Sequence, residues 1–549
     1  MSSFALVADR VSFSRRDQPV LRDIDLSIGP RTRLCVAGPN GVGKTTLLHL
    51  LAGELAPEAG EVRRQPDGLK VRLVRQEPER SSTVVVRDEL ARMCGIAGLQ
   101  EEFDEATAEL AAGAEGAADR YDRALGDWLE ADVAGFDARV DEAAAELGLA
   151  PSALDLPTAH LSGGQVSRVG LAALLLTSAD VTLLDEPTNN LDTNGLAVLD
   201  GWIERNPGGL VVVSHDRGFL ERHARSVLEL DEHARSGTLF EGGWQAYLDE
   251  RATAAAHEQD RYATYVNQRD RLRQRAQQQR EWVDRGASRA RKRPADGDKI
   301  RRSAQIAQTE KLAGKARATE QAIDRLETVD KPWEGWDLRF TVNEAPRSAT
   351  VVATFDGLVI RRGTFVLGPL DDEIRYGERV GLAGPNGSGK SSLIDVLLGR
   401  RSAADGSCRL GPNVVVGELG QRRDEFSRGD RSVLDVITGS TSLLDQDARS
   451  VMAKFGLDHD AMQRPAESLS PGERTRATLA MFQAQGVNLL VLDEPTNHLD
   501  LPAIEQLESA LEHYGGTLLL VSHDERLLEN VALDRTITLP DPARPDPAG

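Results

Sequence analysis

The chain has 549 residues, 66 basic against 87 acidic side chains, and a formal net charge of −21 at pH 7; that length predicts several domains, each with room for its own core. Its mean hydropathy is −0.36, no apolar run approaches the roughly 18 residues of a membrane span, and Met1–Arg10 lacks the basic-then-apolar order of a signal peptide, so a cytoplasmic protein without a membrane span is expected. Cys35, Cys94 and Cys408 are unclustered, which excludes a disulfide framework and a zinc quartet and suits a reducing compartment.

In chain order, the first chemical signal is LCVAG, Leu34 to Gly38, an apolar run predicted to be a strand. It passes into GPNGVGKT, that is Gly38, Pro39, Asn40, Gly41, Val42, Gly43, Lys44 and Thr45, and from Thr46 the sequence TLLHLLAG reads as a helix. Strand, glycine loop and helix form the context of a phosphate-binding loop. Backbone N–H groups and the helix N-terminus cradle phosphate oxygens, Lys44 reaches the outer phosphates, and the Thr45 hydroxyl ligates Mg2+. Beyond Gln76, the acidic, Ala-rich stretch around EEFDEATAELAAGAEGAADRYD predicts a short helical insertion at about 100–140.

LSGGQ, Leu161 to Gln165, places Ser162, Gly163, Gly164 and Gln165 at a helix start with the spacing of a capping box. VTLLDEP ends an apolar strand in two carboxylates. Where the strand ends the chain turns, so Asp185 can hold the Mg2+ shell while Glu186 orients the attacking water as general base. VVVSHD carries His215 to the end of another apolar strand, from which it could donate to a terminal phosphate.

Residues 251–330 differ in composition: few strand formers, and much Arg, Gln, Ala and Glu. Apolar or small residues recur at a 3,4 spacing in Tyr262, Tyr265, Leu272, Ala276 and Val283, and again in Leu312, Ala316, Ile323 and Leu326. This predicts two long helices folded back as an antiparallel hairpin, with a tip near residues 286–298 where Gly286, Pro294 and Gly297 interrupt the pattern. From Arg261 to Lys315 there are 16 basic and 6 acidic residues. Only 9 of the chain's 66 basic residues are lysine, a bias that a GC-rich genome also produces, so the local surplus carries the signal rather than arginine content. A hairpin arm of about 35 residues spans roughly 50 Å against a Debye length of about 8 Å, so its basic tip can meet an anionic partner while the acidic bulk stays electrostatically remote, unless the tip is merely a solvated basic face. The candidate contacts are Arg285, Arg289, Arg291, Lys292, Arg293, Lys299, Arg301 and Arg302, which pair with phosphates or stack on unstacked bases.

After the linker the chain repeats itself. Strand and loop recur as VGLAG and GPNGSGKS, with Gly384, Pro385, Asn386, Gly387, Ser388, Gly389, Lys390 and Ser391, then Ser392 opening the helix. Gln421 follows, then LSPGE with Ser470, Pro471, Gly472 and Glu473, VLDEP with Asp493 and Glu494, and LLVSHD with His523. Lysine and glutamine repeat at offsets of 346 and 345, whereas serine, aspartate and histidine repeat at 308. The first copy therefore holds 37 extra residues, which fall in the acidic insertion.

Phosphate loop, glutamine, LSGGQ signature, DEP and histidine, in this order, resemble an ATP-binding-cassette ATPase, and the resemblance covers both repeats. It implies an α/β fold: two ATP-binding-cassette domains of P-loop NTPase type, at 1–250 and 331–549, joined by a two-helix antiparallel coiled-coil linker at 251–330. It further implies that the two cassettes clasp head to tail within a monomer, with ATP and Mg2+ between them. Site one would join Gly38–Thr45 to Ser470 and Gly472; site two would join Gly384–Ser391 to Ser162 and Gly164. Gln76 and Gln421 would approach Mg2+, and Phe13 stands where an adenine-stacking aromatic often does. Pro471 removes one N–H donor and Glu473 adds negative charge, so site one is expected to be the slower.

Twin cassettes with a charged linker and DEPTN(H/N)LD are similar to the ABC-F family of ribosome-associated translational ATPases, with Asn190 departing from the usual histidine. The resemblance implies a linker that reaches P-site tRNA and the peptidyl-transferase region of large-subunit rRNA. The expected role is protection of the ribosome from antibiotics, with a housekeeping factor that gates or rescues elongation as the alternative. An ATPase subunit of a transporter would need membrane partners on another chain but no charged hairpin. A DNA-repair ATPase would interrupt one cassette with its coiled coil, so no DNA partner is expected. The terminal PDPARPDPAG reads as a disordered tail.

Overall fold

The computed structural model describes residues 4–540 except 17, 76–80, 162, 190, 292–317, 319–320, 322–347, 364, 421–425, 427–430, 442, 497–498 and 523. The chain divides into two compact units, Met1–Trp244 with Trp336–Gly549, and Gln245–Gly335. The first unit holds both copies of the repeat.

In the first copy a six-stranded sheet runs, edge to edge, Val71–Arg75, Val181–Asp185, Gly209–Val213, Arg33–Ala37, Ser226–Leu230 and Gly237–Glu241. All neighbours are parallel except the last pair. VTLLD and GLVVV are apolar at successive positions rather than alternating, because a parallel sheet is covered on both faces; only Asp185 of the two strands escapes burial. An antiparallel sheet of Gln18–Ile28, Ala5–Arg15 and Ala59–Gln65 shares one core with helix Lys44–Ala52 and the parallel strands. The second copy repeats this plan with a parallel sheet ordered Val416–Leu419, Leu489–Asp493, Thr517–Val521, Arg379–Ala383 and Arg535–Thr538. Its antiparallel partner sheet is Phe365–Arg375, Val351–Arg362 and Asp405–Leu410.

The surplus of the first copy contains two packed helices, Ile96–Ala112 and Ala117–Glu130. Arg120 reaches Glu102, Glu105 and Glu109 across their turn, and the Phe103 ring stacks on Trp128 at 5.3 Å.

A 49-residue helix, Gly243–Arg291, enters the second unit. Tyr262, Tyr265, Leu272 and Ala276 lie on its less exposed face, as the 3,4 spacing requires. The helix continues through Gly286 to Arg291; an isolated glycine costs only about 1 kcal/mol in a helix, too little to end this one. Arg285, Arg289 and Arg291 therefore sit on helical backbone, whereas Lys292, Arg293, Lys299, Arg301 and Arg302 lie outside the described residues. Among the described residues no helix is long and apolar enough to cross a membrane.

Candidate active site

Each phosphate loop leaves the carboxyl end of a parallel strand, the crevice where open α/β sheets place their ligands. Gly38 and Gly43 have φ of 145° and 117°, the left-handed region that glycine alone adopts at little cost. A Cβ on Gly43 would also come within 2.8 Å of Val20. Helix Lys44–Ala52 then starts with its free N–H groups facing the loop. Lys44 and Lys390 are both buried. The Lys44 ammonium donates to the carbonyls of Gly38 at 2.7 Å and Pro39 at 3.1 Å, and Lys390 repeats this with Gly384 at 2.5 Å and Pro385 at 3.5 Å. Burial pushes both ammonium groups below their ordinary pKa, opposed by Glu186 and Asp500 at Lys44 and by Glu494 and Asp192 at Lys390.

The carboxylates stand opposite. Ser391 donates its hydroxyl to Asp493 at 3.2 Å, and Thr45 makes the equivalent bond to Asp185. Burial raises both aspartates, and these hydroxyls oppose the rise. Directly after them Glu186 and Glu494 turn left-handed, with φ of 52° and 48°, a conformation that costs a non-glycine residue about 1 kcal/mol. Each still donates one N–H to the neighbouring strand, at Val213 and Val521. The strained residue appears at the same place in both copies, which is how adjacent carboxylates leave the alternation of the strand.

Glu186 lies 3.2 Å from His215 Nε2. Burial pushes the Glu186 carboxyl up to about 7, offset in part by Lys44, and burial followed by the Lys44 charge pushes His215 down to about 3. A neutral His215 can thus donate Nε2–H to Glu186. Glu186 Oε2 and His215 Nδ1 are buried without a hydrogen-bond partner, two acceptors that a donating water would fill.

The two copies meet through a reciprocal pair of contacts that sequence reading missed. Asp192 caps helix Thr193–Arg205 with Oδ1 on the Gly195 N–H and accepts the Asn386 N–H with Oδ2 at 3.1 Å. Asp500 caps helix Leu501–Glu512 through the Ala503 N–H and accepts the Asn40 N–H at 3.1 Å. Each aspartate closes a repeated decapeptide, LLDEPTNNLD or VLDEPTNHLD; the repeat was the available signal. Gly164 also abuts the other copy, since a Cβ there would lie 3.2 Å from that of Asn386. Arg217 holds Glu508 across the same interface, at 3.0 Å through one nitrogen and closer through the other, with Asp524 at 4.0 Å. Arg526 pairs with Glu221 at 2.7 Å.

Ser470 and Glu473 form a full capping box on helix Pro471–Gln485, and the Glu473 carboxylate also pairs with Arg464. These bonds hold Glu473 below the usual carboxylate range despite its partial burial; its charge is answered within its own cassette. One cavity is lined by the first copy and another by both copies. The first, of about 810 Å³, is lined by Asn40, Gly41, Gly43, Lys44, Thr45, Thr46, Asp185 and Glu186, with Arg15, Arg16, Gln18, Pro19, Val20 and Arg235 beyond them. The other, about 740 Å³, brings Gly384, Pro385 and Lys390 against Asp192, Asn194 and Asp216. Val42, Ser388 and Ser392 are buried beneath the loops. Phe13 packs against the core and does not line the first cavity. Gln76, Ser162, Gln421 and His523 lie outside the described residues.

The serine or threonine hydroxyl beside each aspartate is a hard-oxygen set suited to Mg2+, which also takes waters and substrate phosphates. Among the described residues no three His, Cys, Asp or Glu converge.

Comparison with known proteins agrees with this geometry. The family model described as ABC transporter matches residues 21–189 and 367–497. The tylosin resistance ATP-binding protein TlrC of Streptomyces fradiae is 33% identical over 526 residues, covering 93% of each chain. The energy-dependent translational throttle protein EttA of Mycobacterium tuberculosis is 30% identical over 546 residues, covering 98% of this chain and 91% of that protein. An archaeal ribosome recycling factor, solved in complex with an archaeal ribosomal stalk protein, shares the fold with a TM-score of 0.54 at 19% identity, covering 97% of this chain and 87% of that one. Two clasped phosphate-loop cassettes in one chain, matched over nearly their whole length by such relatives, make this protein a member of the ABC-F family of ATP-binding-cassette ATPases, and an enzyme that hydrolyses ATP.

Proposed function

We propose that the chain is an ATP-driven ribosome-binding factor that works in the cytoplasm and whose basic linker meets RNA. The observation that carries this is the reciprocal clasp: Asp192 on Asn386 and Asp500 on Asn40 tie each phosphate loop to the other cassette, so nucleotide at either loop bears directly on cassette closure. ATP binding favours the closed pair and fixes the linker in its RNA-bound pose, and hydrolysis releases it; the work is a population shift driven by differential nucleotide affinity.

In each site the loop N–H groups and Lys44 or Lys390 bind the phosphates. Thr45 with Asp185, and Ser391 with Asp493, would hold Mg2+, which neutralises phosphate charge when bound. Glu186 and Glu494 orient and deprotonate the attacking water; His215 would turn its one N–H from Glu186 to the terminal phosphate, and His523 would donate likewise in the other site. Ser162, Gly164, Ser470 and Gly472 would close the sites from the opposite cassette, and Gln76 and Gln421 would approach Mg2+ when it is bound.

The finer reading is protection of the ribosome against an antibiotic, with the linker reaching towards P-site tRNA and the peptidyl-transferase rRNA. The similarity to a tylosin resistance protein across 93% of the chain supports it. Gating of elongation is the second reading, supported by the similarity to a translational throttle. The test is sedimentation of the Glu186→Gln/Glu494→Gln double variant with ribosomes, with ATP, with ADP and with residues 286–298 deleted. ATP-dependent pelleting lost on deletion is expected; a variant that stays in the supernatant with every nucleotide overturns the proposal.

A further inference from the structure

The first cavity is longer than its phosphate end, and its far end is unusual. Lys44, Thr45, Asp185 and Glu186 mark where phosphates sit, so the base and ribose of a nucleotide must lie towards Arg15, Arg16, Gln18, Pro19, Val20 and Arg235. Among the described residues no aromatic ring lines this cavity. Arg15 and Arg16 end the hairpin of strands Ala5–Arg15 and Gln18–Ile28, both exposed. Among the described residues neither side chain has a carboxylate partner, so both guanidinium groups are available to a ligand. Arg235 approaches from the other side, its carbonyl accepting the Arg22 N–H at 2.8 Å.

The second copy repeats the dipeptide at the same hairpin end, Arg361-Arg362, at the same offset of 346 that relates the two lysines. There, however, a ring is present: a Cβ on Gly389 would lie 2.9 Å from Phe365, where the first copy has Val20 over Gly43. The two sites thus share their arginines and differ in the aromatic.

The geometry points to a base-reading role for Arg15 and Arg16: site one takes guanine nucleotides at least as readily as adenine nucleotides. This rests on the nucleotide-binding reading above. A guanidinium plane stacks on any purine. Its fork of donors, however, matches guanine, whose O6 and N7 both accept, whereas adenine presents an N6 amine donor beside N7. Gln18 can serve either base through its amide. With an arginine fork and no ring, recognition shifts from stacking, which every purine offers equally, to an edge that favours guanine by about fivefold, the low end for one bidentate contact at an exposed rim.

The test uses the full chain with Lys390→Ala, which disables site two, and displacement of a fluorescent ribose-labelled ADP by unlabelled ADP or GDP in Mg2+. GDP is expected to displace the probe at about one fifth the concentration that ADP needs. Arg15→Ala/Arg16→Ala is expected to raise the GDP constant about tenfold and the ADP constant no more than about threefold, at an unchanged melting temperature. ADP displacing the probe at a lower concentration than GDP, or equal losses for both in the arginine variant, would overturn the assignment while leaving ATP binding intact. If the Lys390→Ala protein binds no probe, or binds it undiminished after Lys44→Ala, the nucleotide reading of site one fails as well.

Discussion

Arg217 and Glu508 provide the sharpest probe of cassette closure. Their side chains are 8% and 11% exposed, and the guanidinium makes a two-pronged bond to the carboxylate across the interface. Removing one member of such a buried pair costs about 3 kcal/mol, because the other is left charged and dry. Arg217→Ala strands Glu508 beside Asp524 and carries the full cost. Glu508→Ala leaves Arg217 the Asp524 carboxylate at 4.0 Å, which should limit its loss to about 1.5 kcal/mol at an effective dielectric intermediate between protein and water. Because a factor of ten is about 1.4 kcal/mol, Arg217→Ala should raise the ATP concentration for half-closure about 100-fold, and Glu508→Ala about tenfold. The double variant should lose less than the two losses combined, by about 1.5 kcal/mol. The assay is energy transfer between dyes on the two cassettes in the Glu186→Gln/Glu494→Gln background. Half-closure at an unchanged ATP concentration in Arg217→Ala, or strict additivity, would refute the claim that this pair closes the cassettes.

With Glu494→Gln silencing site two, kcat/KM for ATP should rise about tenfold per pH unit below about 7 and level off above it, because Glu186 must lose its proton to act as base; initial rates flat from pH 5.5 to 8.5 would remove it from that role. In stability the signs oppose: Glu186, raised from 4.5 to about 7, holds a proton that the unfolded chain has released, so its contribution falls as pH climbs through that window. His215, lowered from 6.5 to about 3, contributes stability that grows from pH 3 to 6.5, and Glu186→Gln should remove only the first trend in melting temperature. Asp192→Ala and Asp500→Ala should each cost about 1 kcal/mol as lost helix caps. Each should also weaken ATP at the opposite cassette's loop, whereas Asp458→Ala, a cap within one cassette, should lower melting temperature without touching ATP affinity.

The elements that carry chemistry were legible because the chain writes them twice. Glycine loops, strand-end carboxylates and the signature helix each follow from local rules of period, φ and capping, and a second copy in register removed the coincidence. What escaped the reading depends on contacts between copies. Asp192 reads locally as a helix cap, which it is; its second oxygen, on Asn386, comes from a segment 194 residues away. Arg217 reads as an ordinary residue after a histidine and aspartate, and nothing local tells it from Arg222, which serves Asp200 in its own cassette. At Glu473 the spacing of LSPGE offered a capping box as well as added negative charge; the capping box forms, and Arg464, which no local pattern announces, answers the charge.

That last point changes the ground on which the two sites differ. At an offset of 308, Asp216, Arg217 and Asp200 correspond to Asp524, Glu525 and Glu508. A faithful two-fold would therefore answer Arg217–Glu508 with Glu525 and Asp200, two acids that cannot pair, and Asp200 instead takes His223 at 2.6 Å and Arg222 at 3.3 Å from its own cassette. The aspartate–asparagine clasp is reciprocal; among the described residues the buried arginine pair is one-sided, the opposite pair, Arg526 with Glu221, being far more exposed. It joins the His215 segment to the helix behind Asp500, which is the site-one side of the interface. Among the described residues, opening at site one must break a buried ion pair that has no counterpart at site two, so the two sites differ more in the charge reversal at position 525 than in the signature itself.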